Sequence, residues 1–424
     1  MMSPSATAYH VQTTAEVLRD GFPYFSHHQS VSALWSQKWR ISCAAGIYPF
    51  VDGNVQDFDP VFAELENISG NDPAILFQPD DYAAPFFPPA QRLTESAENS
   101  ASLGDTAQAR EQFLRAAALY RIARFPINRS TLSQKAWEAG KAVYERGGLL
   151  MDPPSTPVDI AFSHADPSSG DRTDSIQAYL RVPTGVRPDD GWPIVLFICG
   201  LDAYRTDNTQ RRQQHNDHGF ATLIFEIPGT GDCPAAPNDP TAPDRIMSSV
   251  LDWVSDHSRR YGIDVTKTVV RGISTGGYYA FRAAHTHADR LFAVAAQGGG
   301  CHHMFDPAWI HAQDQMEYPF ALAEALAYKF GYRENDEAEA LERYATEARK
   351  FSLVDSGLLG AASCKLLVLN GMEDSIFPIE DSLIVATQGT GKDLIVRGNL
   401  RHMANPGGEE TVLEWFDATV KRRG

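Results

Sequence analysis

The sequence predicts an α/β fold in which helices cover both faces of a mostly parallel sheet. Three observations favour this fold. Short apolar, β-branched runs recur between residues 158 and 397, helical patterns lie between most of these runs, and the later runs are apolar throughout. Continuously apolar strands are typical of parallel sheets, because helices cover both faces of such a sheet. We therefore expect a doubly wound sheet, preceded by a region of different character.

Residues 1–150 differ from the rest of the chain, because they show helical periodicity and few strand-like runs. The clearest helix is predicted over 107–124 and a second over 132–146. Residues 73–90 are rich in proline and are expected to form an irregular connection. Aromatic residues spread through this region indicate a packed structure. We therefore expect an N-terminal helical cap domain, followed by a catalytic domain over 151–424.

Eight strands are expected in the second region. The first two alternate apolar and polar residues, as hairpin strands do, and six parallel strands follow. The expected strands cover 158–162, 176–180, 193–199, 221–227, 267–271, 291–297, 365–370 and 393–397. After the sixth strand, residues 301–360 interrupt the alternation with helical patterns. This interruption predicts a helical lid insertion near the carboxyl edge of the sheet.

A Gly-Ile-Ser-Thr-Gly sequence at 272–276 follows the fifth expected strand and precedes a helical pattern. Strand, G-x-S-x-G and helix together are the context of a nucleophile elbow, a sharp turn that presents a serine above the sheet. The glycines permit a turn that a Cβ atom would obstruct. Ser274 is therefore the candidate nucleophile, and a Gly-rich structural turn is the alternative.

An acid and a histidine follow in the chain order of enzymes with the α/β-hydrolase fold. Asp374 comes just after the seventh expected strand, and His402 lies in a loop after the eighth. Active sites collect at this edge of a parallel sheet. His402 is expected to take the proton of Ser274, while Asp374 holds the imidazole in the required tautomer. Alone, Asp374 would suggest a turn former or helix cap and His402 a surface residue, so their joint order and position carry the prediction.

The oxyanion hole is expected to use two main-chain N–H groups. One belongs to Thr275, the residue after the nucleophile, and the other comes from a loop after an earlier strand. The strongest apolar strand, 193–199, runs directly into Gly200 and Leu201, whose N–H groups are the natural second donors. The alternative is that Gly200 only makes a turn at the end of the strand.

The amino-acid composition and net charge argue against several classes of binding partner. The formal net charge is −17, with 37 Lys and Arg against 54 Asp and Glu. Nucleic acids and anionic lipid surfaces attract clustered basic residues, so neither is an expected partner. The five cysteines are scattered and His302–His303 lacks a convincing third ligand, so no metal site and no cofactor are expected. Neither a signal peptide nor a bilayer-spanning run is evident, and a cytoplasmic location is the expectation.

Several longer strings resemble the fungal yellowish-green pigment hydrolases, which belong to the larger FrsA-like group of α/β-hydrolases. The resemblance extends over about residues 20 to 420. The matching strings are Leu34–Trp39, Tyr120–Pro126, Leu201–Asn208, Glu226–Pro234, Gly276–Ala280, Arg282–His287, Glu317–Phe320 and Asn370–Gly371. The chain departs from the family pattern at Cys199 and Gly231, and its start is longer than usual. Cys199 borders the expected oxyanion loop, so this departure bears on substrate fit.

The resemblance implies an enzyme that shortens an aromatic polyketide, such as a heptaketide naphthopyrone, by hydrolysing a carbon–carbon bond. An acetoacetyl unit would leave, and the remaining hydroxynaphthalene would serve a melanin-type pigment. The family's triad falls on Ser274, Asp374 and His402, the residues already reached from their order. In the implied mechanism Ser274 attacks a carbonyl, a stabilised carbanion leaves in a retro-Claisen step, and water releases the acyl group. A homodimer through the N-terminal helices is implied by the resemblance only.

Five further residues are candidates for binding a small aromatic substrate: Asp202, Tyr204, Tyr278, Asp306 and Glu317. The acids would orient hydroxyl groups and the tyrosines would line an aromatic pocket. The alternatives are solvated or capping roles for the acids and core packing for the tyrosines. Three other functions stay open, namely a carboxylesterase or lactonase with the same triad, a polyketide acyltransferase, and a catalytically inactive binding module.

Overall fold

An eight-stranded sheet organises the part of the chain that the computed structural model describes, residues 25–420. The strands are β1 (Thr156–Ile160), β2 (Ile176–Arg181), β3 (Trp192–Ile198), β4 (Ala221–Phe225), β5 (Ile263–Ile273), β6 (Ala293–Gln297), β7 (Lys365–Gly371) and β8 (Asp393–Arg397). The expectation about a signal peptide concerns residues 1–24, which lie outside the described range. The predicted α/β fold with a mostly parallel sheet is confirmed.

The strands are ordered β1-β2-β4-β3-β5-β6-β7-β8 across the sheet. Strand β2 runs antiparallel to both of its neighbours, and the pairs from β4 to β8 are parallel. The carboxyl ends of β3, β5, β6, β7 and β8 therefore share one edge. The loops that carry the candidate nucleophile, acid and histidine all leave from this edge.

Helices flank the sheet and form the N-terminal region. Within residues 25–420 the α-helices are α1 (Val31–Leu34), α2 (Arg40–Ala44), α3 (Val55–Ser69), α4 (Pro79–Ala83), α5 (Phe87–Ser102), α6 (Thr106–Ala123), α7 (Thr131–Leu149), α8 (Thr209–Asp217), α9 (Ala242–Tyr261), α10 (Thr275–Thr286), α11 (Pro307–His311), α12 (Leu322–Lys329), α13 (Glu337–Glu347), α14 (Ile379–Thr387) and α15 (Gly408–Val420). The two helices expected in the N-terminal region correspond to α6 and α7. None of the helices in the described range combines the length and apolar character needed to cross a membrane.

The prediction of an irregular connection over 73–90 is wrong. This segment consists of a 3₁₀ turn, α4, a second 3₁₀ turn and the start of α5. Its prolines stand in the first three positions of these helices, where a missing N–H costs no intrahelical hydrogen bond and the fixed φ suits the helix. A high proline content alone therefore did not distinguish an irregular connection from a series of short helices that each begin near a proline.

An aromatic cluster joins the N-terminal helices to the insertion. Trp39 stacks on Phe320 with their ring centroids 5.4 Å apart, and Phe125 meets the same ring edge-on at 4.8 Å. Phe320 belongs to the segment 301–360. The N-terminal helices and one face of the sheet also contribute to a single apolar cluster. The helical region is therefore packed onto the sheet region through shared core side chains.

The insertion is tied to the sheet region at its start by one buried carboxylate. Asp381, on α14, accepts hydrogen bonds from the main-chain N–H groups of Cys301 at 2.8 Å, His303 at 2.8 Å and Met304 at 3.1 Å. Its side chain is buried completely. These three donors would otherwise lie unpaired inside the protein, which is unfavourable.

Replacing Asp381 with Ala is expected to lower the free energy of unfolding by about 3 kcal/mol, because it leaves buried N–H donors without acceptors. Urea denaturation followed by fluorescence measures this loss. The matched control is Asp336→Ala, which removes a carboxylate that caps the exposed start of α13 and is expected to cost about 1 kcal/mol. Equal losses in the two variants would contradict the anchoring role of Asp381.

Candidate active site

Ser274 lies in a tight turn and has a backbone conformation that residues other than glycine rarely adopt. Ser274 has φ 52° and ψ −126°, a conformation that costs a non-glycine residue roughly 1–3 kcal/mol. A Cβ atom added to Gly272 would lie 2.2 Å from the carbonyl oxygen of Gly276, and one added to Gly276 would lie 2.4 Å from that of Cys199. Only glycine fits these positions, so β5, α10 and the end of β3 approach closely around the serine.

Three side chains predicted from the sequence form a continuous hydrogen-bonded line. Ser274 Oγ is 2.9 Å from His402 Nε2, and His402 Nδ1 is 3.0 Å from Asp374 Oδ2. An ionised carboxylate only accepts, so Nδ1 carries the proton and Nε2 is free to accept the proton of the serine. The Asp374 side chain is fully buried, whereas that of His402 is 16% exposed. The arrangement suits proton transfer from the serine hydroxyl to the imidazole.

Asn370, at the end of β7, connects the acid to the histidine loop. Its side-chain amide donates to Asp374 Oδ2 at 2.8 Å, and its oxygen accepts from the N–H of Met403 at 3.1 Å. The other oxygen of Asp374 accepts from the N–H groups of Ile376 and Phe377. Sequence reasoning assigned no role to Asn370, although a polar residue closing an apolar strand was a usable signal.

The backbone around His402 is also held in an unusual conformation. Met403 and Ala404 both have positive φ, 64° and 55°. A Cβ on Gly298, at the end of β6, would lie 2.9 Å from His402 Cε1, and one on Gly371 would lie 2.0 Å from the carbonyl oxygen of Arg401. The histidine loop therefore packs directly on the main chain at the ends of β6 and β7, which fixes the position of the imidazole.

The charges near His402 favour its protonated form. Burial by itself lowers the pKa of this imidazole, but the carboxylate of Asp374, followed by Glu317 and Asp202, outweighs burial and raises the pKa above its ordinary value. Glu317 is held by Lys38, whose Nζ lies 2.6 Å from Glu317 Oε1. Burial opposes ionisation of Glu317, yet Lys38 lowers its pKa, so this carboxylate is negative at neutral pH.

The loop after β3 lies beside Ser274, where the oxyanion hole was expected. A Cβ on Gly200 would be 3.4 Å from Ser274 Cβ and 3.9 Å from Ser274 Oγ. Leu201 follows in the same loop, and Thr275 is the buried first residue of α10. Gly200 therefore lies beside Ser274, while Leu201 and Thr275 are the next residues in the chain after Gly200 and Ser274, and the oxyanion-hole role of all three stays a prediction.

The five candidate substrate-binding residues fall into three groups. Asp202 and Glu317 lie close enough to His402 to influence its pKa. Tyr204 and Tyr278 are buried in the core, and their hydroxyl groups donate to Asn128 Oδ1 at 2.7 Å and to the carbonyl oxygen of Phe351 at 2.8 Å. Asp306 pairs with Arg349 at 2.7 Å and with His303 at 2.8 Å. The core-packing alternative therefore describes both tyrosines, and ion pairing within the insertion describes Asp306.

Two residues near the site come from the N-terminal region and were not singled out from the sequence. Lys38 pairs with Glu317, and the hydroxyl of Tyr48 donates to Asp202 Oδ2. Lys38 lies within one of the strings that carried the family resemblance, which was the only available signal.

No group of three or more His, Cys, Asp or Glu side chains that could hold a metal ion occurs within residues 25–420.

Replacing Glu317 with Gln is expected to lower the pKa of His402, because it removes a negative charge that stabilises the imidazolium. In the wild type the nearby carboxylates raise this pKa above the ordinary value of a histidine, in spite of burial. An NMR titration of the His402 ring measures the pKa in both proteins. Glu339→Gln, at an exposed position of α13, is the matched control and should leave the titration unchanged. An equal His402 pKa in wild type and Glu317→Gln would contradict the assigned charge effect.

Two FrsA esterases are among the curated proteins that resemble this chain in sequence. The esterases FrsA of Salmonella paratyphi B and of Salmonella newport are each 27% identical over 307 residues. The alignment covers 69% of this chain and 66% of each relative. The chain therefore spans just under two thirds of the length of these relatives.

Solved structures resemble the fold. The 2,6-dihydroxy-pseudo-oxynicotine hydrolase has a TM-score of 0.63 at 22% identity, covering 81% of this chain and 89% of that chain. AbyA5 has a TM-score of 0.58 at 18% identity, covering 78% of this chain and 88% of that chain. At such identities the likeness concerns the fold alone, and it agrees with the α/β-hydrolase architecture.

The family is shown by a longer match. The family described as esterase FrsA-like matches residues 95–420, well over half of the chain. The match includes the elbow at Ser274, Asp374 and His402, as well as helices α6 and α7 of the N-terminal region. On this match, the chain belongs to the FrsA-like esterase family.

Proposed function

We propose that this protein is a serine hydrolase that forms an acyl-enzyme on Ser274. The observation that carries the proposal is the line of hydrogen bonds from Ser274 through His402 to Asp374, at a strained turn between β5 and α10. Nucleophile, base and orienting acid at these distances are the components of acyl transfer. Membership of an esterase family supports the same reaction class.

In the proposed reaction, Ser274 Oγ attacks a carbonyl carbon while His402 Nε2 takes the hydroxyl proton. The main-chain N–H groups of Thr275 and of Gly200 or Leu201 stabilise the negative oxygen of the tetrahedral intermediate. The intermediate collapses when the bond to the leaving group breaks, and the protonated His402 donates its proton to that group. Water then attacks the acyl-serine with His402 as base, which releases the acid and restores Ser274.

We further propose that the leaving group is carbon and that the substrate is an aromatic polyketide such as a heptaketide naphthopyrone. The resemblance to polyketide-shortening hydrolases supports this substrate. A carbanion leaves readily only when its charge is delocalised, as in a polyphenol or β-diketone, so the bond cleaved is the one between the carbonyl and such a carbon. The carboxylates of Asp202 and Glu317 near His402 suit a substrate with several hydroxyl donors.

An ordinary carboxylesterase or lactonase is the second candidate, because the chain belongs to an esterase family. The two candidates share the acyl-serine and differ in the atom that leaves. An oxygen leaving group needs less stabilisation than carbon, so a simple ester is expected to react with either kind of enzyme. Only the relative rates with an ester and with a naphthopyrone separate them.

Ser274→Ala is expected to lower the turnover of every substrate by about 10⁴-fold or more, because the alanine lacks a nucleophile. Wild type and variant are incubated with a heptaketide naphthopyrone and with p-nitrophenyl butyrate, and products are identified by mass spectrometry. Ser258→Ala, which changes a serine on α9, is the matched control and should retain full activity. Release of an acetoacetyl unit by the wild type alone supports carbon–carbon cleavage.

Two outcomes would count against these proposals. If the ester is hydrolysed and the naphthopyrone is unchanged, the esterase or lactonase is favoured and the polyketide substrate is wrong. If Ser274→Ala retains the activity of the wild type, the acyl-enzyme on Ser274 is wrong. Addition of an alcohol acceptor tests acyl transfer, because an ester product would then replace the free acid.

A further inference from the structure

We propose that Arg124 and Tyr48, both from the N-terminal helical region, are positioning residues for the oxyanion loop. Here the oxyanion loop means residues 200–207, which follow β3. In this proposal the helical region contributes to catalysis by holding main-chain donors in place, in addition to covering the site. It rests on the proposed function, because an oxyanion loop matters only if Ser274 performs acyl transfer.

Arg124 contacts the oxyanion loop in three ways. Its Nη1 donates to the main-chain carbonyl of Asp202 at 3.1 Å, and its Nη2 donates to the carboxylate of Asp207. Its guanidinium also lies over the ring of Tyr204, 3.8 Å from the centroid. The side chain is almost fully buried. A planar guanidinium can bridge two acceptors in one rigid fork, which a lysine ammonium cannot do.

The part of the loop that Arg124 contacts is a turn held by its own hydrogen bonds. Asp207 accepts from the main-chain N–H of Tyr204 at 2.8 Å, and the side-chain amide of Asn208 donates to the carbonyl of Tyr204 at 2.9 Å. Arg124 therefore binds a turn that has hydrogen bonds of its own, and its guanidinium joins this turn to the carboxyl end of α6.

Tyr48 holds the same loop through a side chain. Its hydroxyl donates to the carboxylate of Asp202, so Asp202 is bound by the helical region at both its carbonyl and its carboxylate. Burial and the neighbouring Asp202 raise the pKa of Tyr48, which keeps the donating proton in place. Arg121 packs against Tyr48, with its guanidinium 4.9 Å from the centroid of the tyrosine ring. The Nε of Arg121 lies 3.6 Å from Asp207 Oδ2.

Asp202 is next to Leu201 and one residue further from Gly200, whose position lies beside Ser274 Oγ. Donors stabilise an oxyanion only when they lie about 2.7–3.1 Å from it, so a small displacement of this loop weakens the transition state. A misplacement of about 1 Å can cost about 100-fold in rate. The hydrogen bonds from Arg124 and Tyr48 to Asp202 therefore affect kcat, because they keep the main-chain N–H groups of Gly200 and Leu201 in position.

The test uses Arg124→Lys and Tyr48→Phe in the full chain. Arg124→Lys keeps the positive charge beside Asp207 and loses the fork, while Tyr48→Phe removes one hydroxyl. Matched controls are Arg115→Lys, which alters a two-bond pair with Asp57 inside the helical region, and Tyr82→Phe, which removes a buried hydroxyl without a hydrogen-bond partner among the described residues. The readouts are kcat and KM for p-nitrophenyl butyrate and the inhibition constant of phenylboronic acid, which forms a tetrahedral adduct with serine.

For Arg124→Lys and Tyr48→Phe we expect kcat to fall about 10- to 100-fold with KM changed less than about twofold. The affinity for phenylboronic acid should fall in parallel, because the tetrahedral adduct uses the same donors. Both controls should retain the wild-type values. A fall in kcat with unchanged boronic acid affinity, a change confined to KM, or effects equal to the controls would overturn the inference. A wild type without esterase activity would overturn the proposed function as well.

Discussion

The backbone conformation of Ser274 is the constraint on which the site depends. A serine at φ 52° is unfavourable unless its surroundings allow no alternative, and here three main-chain segments enclose it. Gly272 and Gly276 let β5, α10 and the end of β3 approach so closely that any side chain would collide with a carbonyl oxygen. The same approach brings Gly200 to Ser274, so the turn that presents the serine also lies against the loop that follows β3.

Around this rigid centre, the polar groups come from distant parts of the chain. Asn370 links the acid to the histidine loop, Lys38 fixes the charge of Glu317, and Tyr48 meets Asp202. The helical region thus supplies groups to the site and shares an aromatic core with the insertion through Phe320.

Much of the fold was predictable because its signals are local. Each expected strand is present, because apolar runs bounded by turn residues indicate buried strands. The G-x-S-x-G motif around Ser274 likewise indicates the elbow. Contacts across the chain were not predictable. Tyr48 and Asp202 are 154 residues apart, and Lys38 and Glu317 are 279 apart, so no spacing rule joins them. Pocket lining and core packing were both open for the tyrosines at 204 and 278, because their burial depends on packing that composition does not show.

Mass spectrometry of enzyme quenched during turnover of p-nitrophenyl acetate tests the central claim most directly. The hydrogen-bonded line from Ser274 to Asp374 predicts a single acetyl group on the peptide that contains Ser274, present in the wild type during turnover and gone once the substrate is consumed. Turnover without any acetylated peptide, or an acetyl group on another residue that disappears at the catalytic rate, would contradict the account.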